Sequence, residues 1–128
     1  MANMCVFEMT ITVNNVFDKN ILFKHLDDIV RNANREQKGC YIGSEDRYLF
    51  DAEVQDVDDY TIWINGWVKW GVANNEMVSF FKFLNDICFI HELELKIFES
   101  GNGVCEKYIY EHQEENIIKR FNKRNWNI

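Results

Sequence analysis

The chain has 128 residues, 47% of them hydrophobic and 15% aromatic, with six glycines and no proline. That is the size of one domain with ample material for a packed core, and it argues against a disordered chain. With 21 acidic against 14 basic residues the net charge is −7, which argues against general nucleic-acid binding and against anionic membrane surfaces, since both need Lys and Arg facing phosphate.

The opening MANMCVFEMT has neither a basic nor a long apolar region, so no signal peptide is expected. No apolar run approaches the ~20 residues of a membrane helix. Cys5, Cys40, Cys88 and Cys105 are scattered. They read as reduced, mostly buried thiols of a cytoplasmic protein.

Residues 4–13 alternate, with Cys5, Phe7, Met9, Ile11 and Val13 on one face and Glu8, Thr10 and Thr12 on the other, which predicts a half-buried strand. Asn14-Asn15 reads as a turn and helix cap. Over residues 16–33 the spacing becomes helical, with Leu22, Leu26, Ile29, Val30 and Ala33 on one stripe. Residues 34–46 lack periodicity and predict a long loop. A second strand spans 47–54, followed by an acidic turn at 55–59.

Residues 60–70, YTIWINGWVKW, predict a third strand that makes a hairpin with the second. Ile62, Ile64, Val68 and Trp70 share one face; Thr61, Trp63, Asn65, Trp67 and Lys69 share the other. Gly66 is a candidate bulge. Asn74 or Asn75 caps a second helix, in which Met77, Phe80, Phe81, Leu84 and Cys88 form the sharpest apolar stripe in the chain. Residues 92–99 and 104–111 predict a fourth and fifth strand joined by a glycine turn at 100–103. From residue 114 the tail reads as a basic helix to about 126, carrying Ile117, Ile118, Phe121 and Trp126.

The order β-α-β-β-α-β predicts an α+β, ferredoxin-like split βαβ sandwich, extended by a fifth strand and a C-terminal helix. Residues 1–128 form one domain with its core at about 4–111. Strands one and three would be central. The start MANMCVFEMTITVN, the tryptophan-glycine turn WVKWG before a helix, and FESGNGVCEKYIYE resemble the YubB-type ferredoxin-like domains of plasmids and phages. The resemblance covers about residues 1–111 and implies fold and mobile-element origin, not chemistry. The family's usual proline after the turn is missing here, and the tail helix would be extra.

Glu45, Asp46, Asp51, Glu53, Asp56, Asp58 and Asp59 crowd residues 45–59. Their plain reading is a solvated edge charged against aggregation. Their functional reading is a carboxylate array that docks on a basic surface of another protein, such as a nucleic-acid channel. Asp51 and Glu53 should join Glu8 and Glu94 on the face away from the helices. Trp63, Trp67 and Phe98 should share that face. Aromatics there stack bases in RNA-recognition folds, but the charge sign is wrong for direct nucleic-acid contact. If the tail helix leaves the tryptophans uncovered, they offer a partner hot spot or a homodimer contact.

No catalytic, cofactor or metal signature stands out. Cys40 sits in a loop, but nothing places His25, His91 or His112 beside it. Cys88-Phe-Ile-His91 has ligand-like spacing, yet Cys88 completes the apolar stripe. Two readings follow. One is a small, acidic, non-enzymatic interaction protein without cofactor that binds a basic host surface, an inhibitor of the anti-CRISPR type. The other is a small enzyme or ligand-binding domain using the 34–46 loop and the open sheet face.

Overall fold

A computed structural model gives the fold, and the description covers residues 4–35, 40–44, 47–69, 74–99, 104–113 and 117–124. The architecture is α+β: two helices pack on one face of an antiparallel sheet. The strands are β1 (Met4–Val13), β2 (Cys40–Ser44), β3 (Arg47–Asp58), β4 (Thr61–Lys69), β5 (Ile90–Glu99), β6 (Val104–Gln113) and β7 (Ile117–Arg124). The helices are α1 (Val16–Arg35) and α2 (Asn74–Ile87). Strand order is β2-β3-β4-β1-β5-β6-β7, so β1 and β4 lie side by side in the middle.

Alternation builds the core. Cys5, Phe7, Met9, Ile11 and Val13 are all buried, beside Ile62 and Ile64 of β4 and Leu93 and Leu95 of β5. Tyr110 and Tyr108 of β6 extend this layer opposite Leu93 and Leu95. The helices lay Leu22, Leu26, Val30 and Ala33, and Phe80, Phe81 and Leu84, onto it. Each fully buried Leu, Ile or Phe contributes about 1.5–3 kcal/mol.

Side-chain caps set the helix ends. Asn15 Oδ1 accepts from the Asp18 N–H at 2.8 Å, and Asn15 Nδ2 donates to Asp18 Oδ2 at 3.2 Å. That satisfies a first-turn donor. Asn85 Nδ2 donates to the Phe81 carbonyl at 2.8 Å, and its Oδ1 accepts from the Ile90 N–H at 3.0 Å. One side chain thus closes α2 and starts β5.

Four expectations are corrected. The tail is not a helix: residues 117–124 form β7, paired residue by residue with β6 from Gln113↔Ile117 to Glu106↔Arg124. Apolar residues at 117, 118 and 121 suit either period, and the open edge of β6 decides for the strand. The predicted 34–46 loop contains β2, a short strand on the outer side of β3 that also lies against α1 and α2. The acidic turn at 55–59 is mostly strand, because β3 runs on to Asp58 and leaves Asp59-Tyr60 as the turn.

The fourth correction concerns the bulge. Gly66 pairs without interruption, since β1 and β4 stay in register from Met4↔Lys69 to Thr12↔Thr61. The irregularities sit on β3 instead. Phe50 pairs with Trp67 and Glu53 with Asn65, so Asp51 and Ala52 together oppose Gly66. A second step leaves Val57 as the extra residue between Asp56↔Ile62 and Asp58↔Thr61. A bulge bends and twists its strand. Gly66 is buried on the helix side, where a side chain would crowd the doubled strand. Trp70 and the turn at 100–103 lie outside the described residues. Among the described residues no helix is long and apolar enough to cross a membrane.

Candidate interaction face

No described helix lies over the face of the sheet opposite the core. Register places its residues in rows across the strands. One row is apolar: Phe50, Trp67, Val6, Phe98 and Cys105 follow one another from β3 to β6. The next is charged, running Glu53, Asn65, Glu8, Lys96, Lys107 and Lys123 from β3 to β7. The third holds Gln55, Trp63, Thr10, Glu94, Ile109 and Phe121.

Trp63 is half-buried, and Trp67 is 39% exposed. Glu53 is exposed, with Glu8 half-buried. The described part of the tail, β7, does not lie over them. β7 is four strand spacings from β4, about 19 Å. Its basic residues therefore lie at the far edge, and the face is bipolar. Lys96 and Lys107 oppose each other across strands, and Glu94 offsets their repulsion at 3.6 Å and 3.5 Å. Such half-exposed pairs contribute at most about 1 kcal/mol.

The expected carboxylate array divides. Glu45 and Asp46 lie outside the described residues, as does the side chain of Asp51. Glu53 shares the open face with Trp63 and Trp67. Asp58 and Asp59 are exposed at the β3–β4 turn. Asp56 belongs to the other face: its Oδ1 receives Lys19 Nζ at 2.7 Å, and the Lys19 side chain is 5% exposed. Asp56 is thus engaged in tying α1 to β3. The bulge at Val57 separates its orientation from that of Asp58.

Asp58 Oδ1 accepts from the Tyr60 N–H at 2.8 Å, which closes the turn. That hydrogen bond, with one from the Thr61 side chain, holds the carboxyl below the ordinary aspartate range. Cys88 is half-buried, and its Sγ lies 3.9 Å from the Asp18 carbonyl oxygen, the thiol donating. Burial, then the nearby Asp18 carboxylate, push its pKa up to about 11. This thiol is a strut between helix ends and a poor nucleophile at neutral pH. Among the described residues, no three His, Cys, Asp or Glu side chains come together as a metal would require. The side chains of Cys40 and His112 lie outside the described residues.

Lys96 and Lys107 were not among the expected site residues. Their place beside the acids follows from cross-strand register, which no local pattern carries. No family model, curated protein or solved structure matches the chain.

Proposed function

We propose that this is a non-enzymatic interaction protein of phage or plasmid type that binds a basic surface of a host protein in the cytoplasm. The inner strands β3-β4-β1-β5 and the two helices would be its ferredoxin-like unit, a reading their order supports. The observation that carries the binding role is the exposed Trp67 and half-buried Trp63 beside Glu53 and Glu8 on a face that no described helix covers. Aromatic anchors ringed by charge are what interface hot spots use. Acids facing a basic groove would steer association and imitate phosphates. An inhibitor of a nucleic-acid-handling or defence complex, of the anti-CRISPR type, is the economical form of this role.

The experiment is affinity capture from a host lysate, followed by salt elution. Glu53→Lys with Asp59→Lys should lose the captured partner while Tm falls only slightly, since both side chains are exposed. Release should rise steeply once salt shortens the screening length below about 10 Å. Capture that resists both the charge reversals and the salt would remove the electrostatic mechanism.

A further inference from the structure

A second surface stands apart from the open face. Five large apolar side chains are exposed at one end of the sheet: Phe17 at 70%, Val57 at 53%, Tyr60 at 51%, Phe89 at 49% and Val16 at 46%. They come from separate parts of the chain, yet the pairing brings those parts together. The Val13 N–H, at the end of β1, donates to the Tyr60 carbonyl at 2.9 Å. Val13 also pairs with Ile90, the residue after Phe89. Val16 and Phe17 open α1 just beyond Val13. The rim therefore spans β3-β4-β1-β5, three strand spacings, or about 14 Å.

Folding does not require apolar side chains at these positions. Phe17 sits five positions before Leu22, so it falls well off the buried stripe of α1. Val57 is the unpaired residue of a bulge, and Tyr60 is the second residue of a tight turn. Clustered apolar exposure of this kind marks interaction sites. Among the described residues the exposed charge beside it is acidic. Asp58 and Asp59 are exposed beside Tyr60, Asp18 follows Phe17, and Glu92 follows Phe89 at a distance of three residues. Lys19, the cation within this end, is buried and held by Asp56.

We propose that this apolar rim takes a basic amphipathic segment of a partner protein, its apolar side on Phe17, Val57, Tyr60 and Phe89 and its Lys or Arg residues on Asp58 and Asp59. The proposal rests on the reading that the protein binds basic proteins, and it gives that binding a centre distinct from Trp63 and Trp67. Charge selects the occupant. Phosphates of nucleic acid or anionic lipid would meet the acids. A second copy docked about a two-fold axis would set Asp58 and Asp59 against their own equivalents.

The test uses the isotope-labelled full chain and three synthetic probes. These are a Leu/Lys amphipathic helix of about 18 residues, five turns long, an oligolysine of equal charge, and a Leu/Glu counterpart. The Leu/Lys peptide should bind more tightly than oligolysine and shift amide signals at residues 16, 17, 57–60 and 89. Phe17→Ser with Tyr60→Ser should weaken it roughly tenfold or more, with an unchanged thermal melt, whereas Trp67→Ser should leave affinity unaltered. Shifts centred on Trp63, Trp67 and Phe98 would overturn the proposal, as would equal binding of the Leu/Glu peptide. Self-association of the free chain that Phe17→Ser abolishes would assign the rim to a second copy instead. If oligolysine binds as well as the Leu/Lys peptide with the rim silent, the acidic reading stands and this one fails. If neither cationic peptide binds, both fail.

Discussion

At the scale of single residues, the Lys19–Asp56 pair is the clearest case of a charge doing structural work. The ammonium is buried while the Asp56 side chain is 47% exposed. The two substitutions should therefore differ. Asp56→Ala leaves a buried cation without its partner and should cost about 2 kcal/mol in urea unfolding. Lys19→Met keeps the volume, removes the desolvated charge, and lets Asp56 hydrate, so it should stay within about 1 kcal/mol of the parent. Equal losses would mean that the pair does not act in this asymmetric way. Asp58 governs pH response at the turn. Its folded carboxyl lies below the unfolded value of 3.8, so its contribution is present above that value and is lost as pH falls through the lowered folded value. The protection factor of the Tyr60 amide, taken against its intrinsic exchange rate at each pH, should fall as the solution is acidified through that range, and Asp58→Asn should flatten the response.

At the scale of elements, the strands at the two ends of the sheet order were the hardest to read. β2 has five residues and three partners on β3, Leu49, Tyr48 and Arg47, yet it lies in a stretch whose local pattern reads as loop. β7 has apolar residues that fit a helical turn, but β6 presents a row of backbone donors and acceptors that only another strand fills. Lys119, Arg120, Lys123 and Arg124 on β7 then charge the outer edge of the sheet against further pairing. Deleting residues 117–128 should expose β6 and raise light scattering at concentrations where the full chain stays clear. A truncated chain that remains equally dispersed would deny β7 this protective role. The central elements were legible because their signals are local: alternation in β1, the stripe of α2, and the Asn15 cap all report burial directly.

At the scale of the whole molecule, the sheet carries acids toward β3 and lysines toward β7, and apolar exposure concentrates at the Val13 end. Binding by the acidic half should therefore weaken with salt, while contacts seated on Phe17 and Tyr60 should persist. Comparing salt slopes of parent and Phe17→Ser chains separates the two. Trp63 and Trp67 were correctly assigned to one face with Glu53, because parity holds along β4. Asp56 was read as part of a turn, whereas the alternation of Ala52 and Val54 runs on through it and sets it on the helix side, the extra residue coming only afterwards at Val57.

What the amino-acid order determined alone was periodicity, and with it the two helices, the central strands, the core residues of β1 and the Asn15 cap. These depend on neighbours within a few residues, where geometry is set by the backbone itself. Tertiary structure decided the rest: that residues 117–124 are an edge strand, that Asp56 turns inward to Lys19 while Asp58 stays out, and that Phe17, Tyr60 and Phe89 fall at one end of the sheet. Each of these follows from pairing between segments distant in the chain, where an open strand edge, a bulge or a buried charge fixes the outcome.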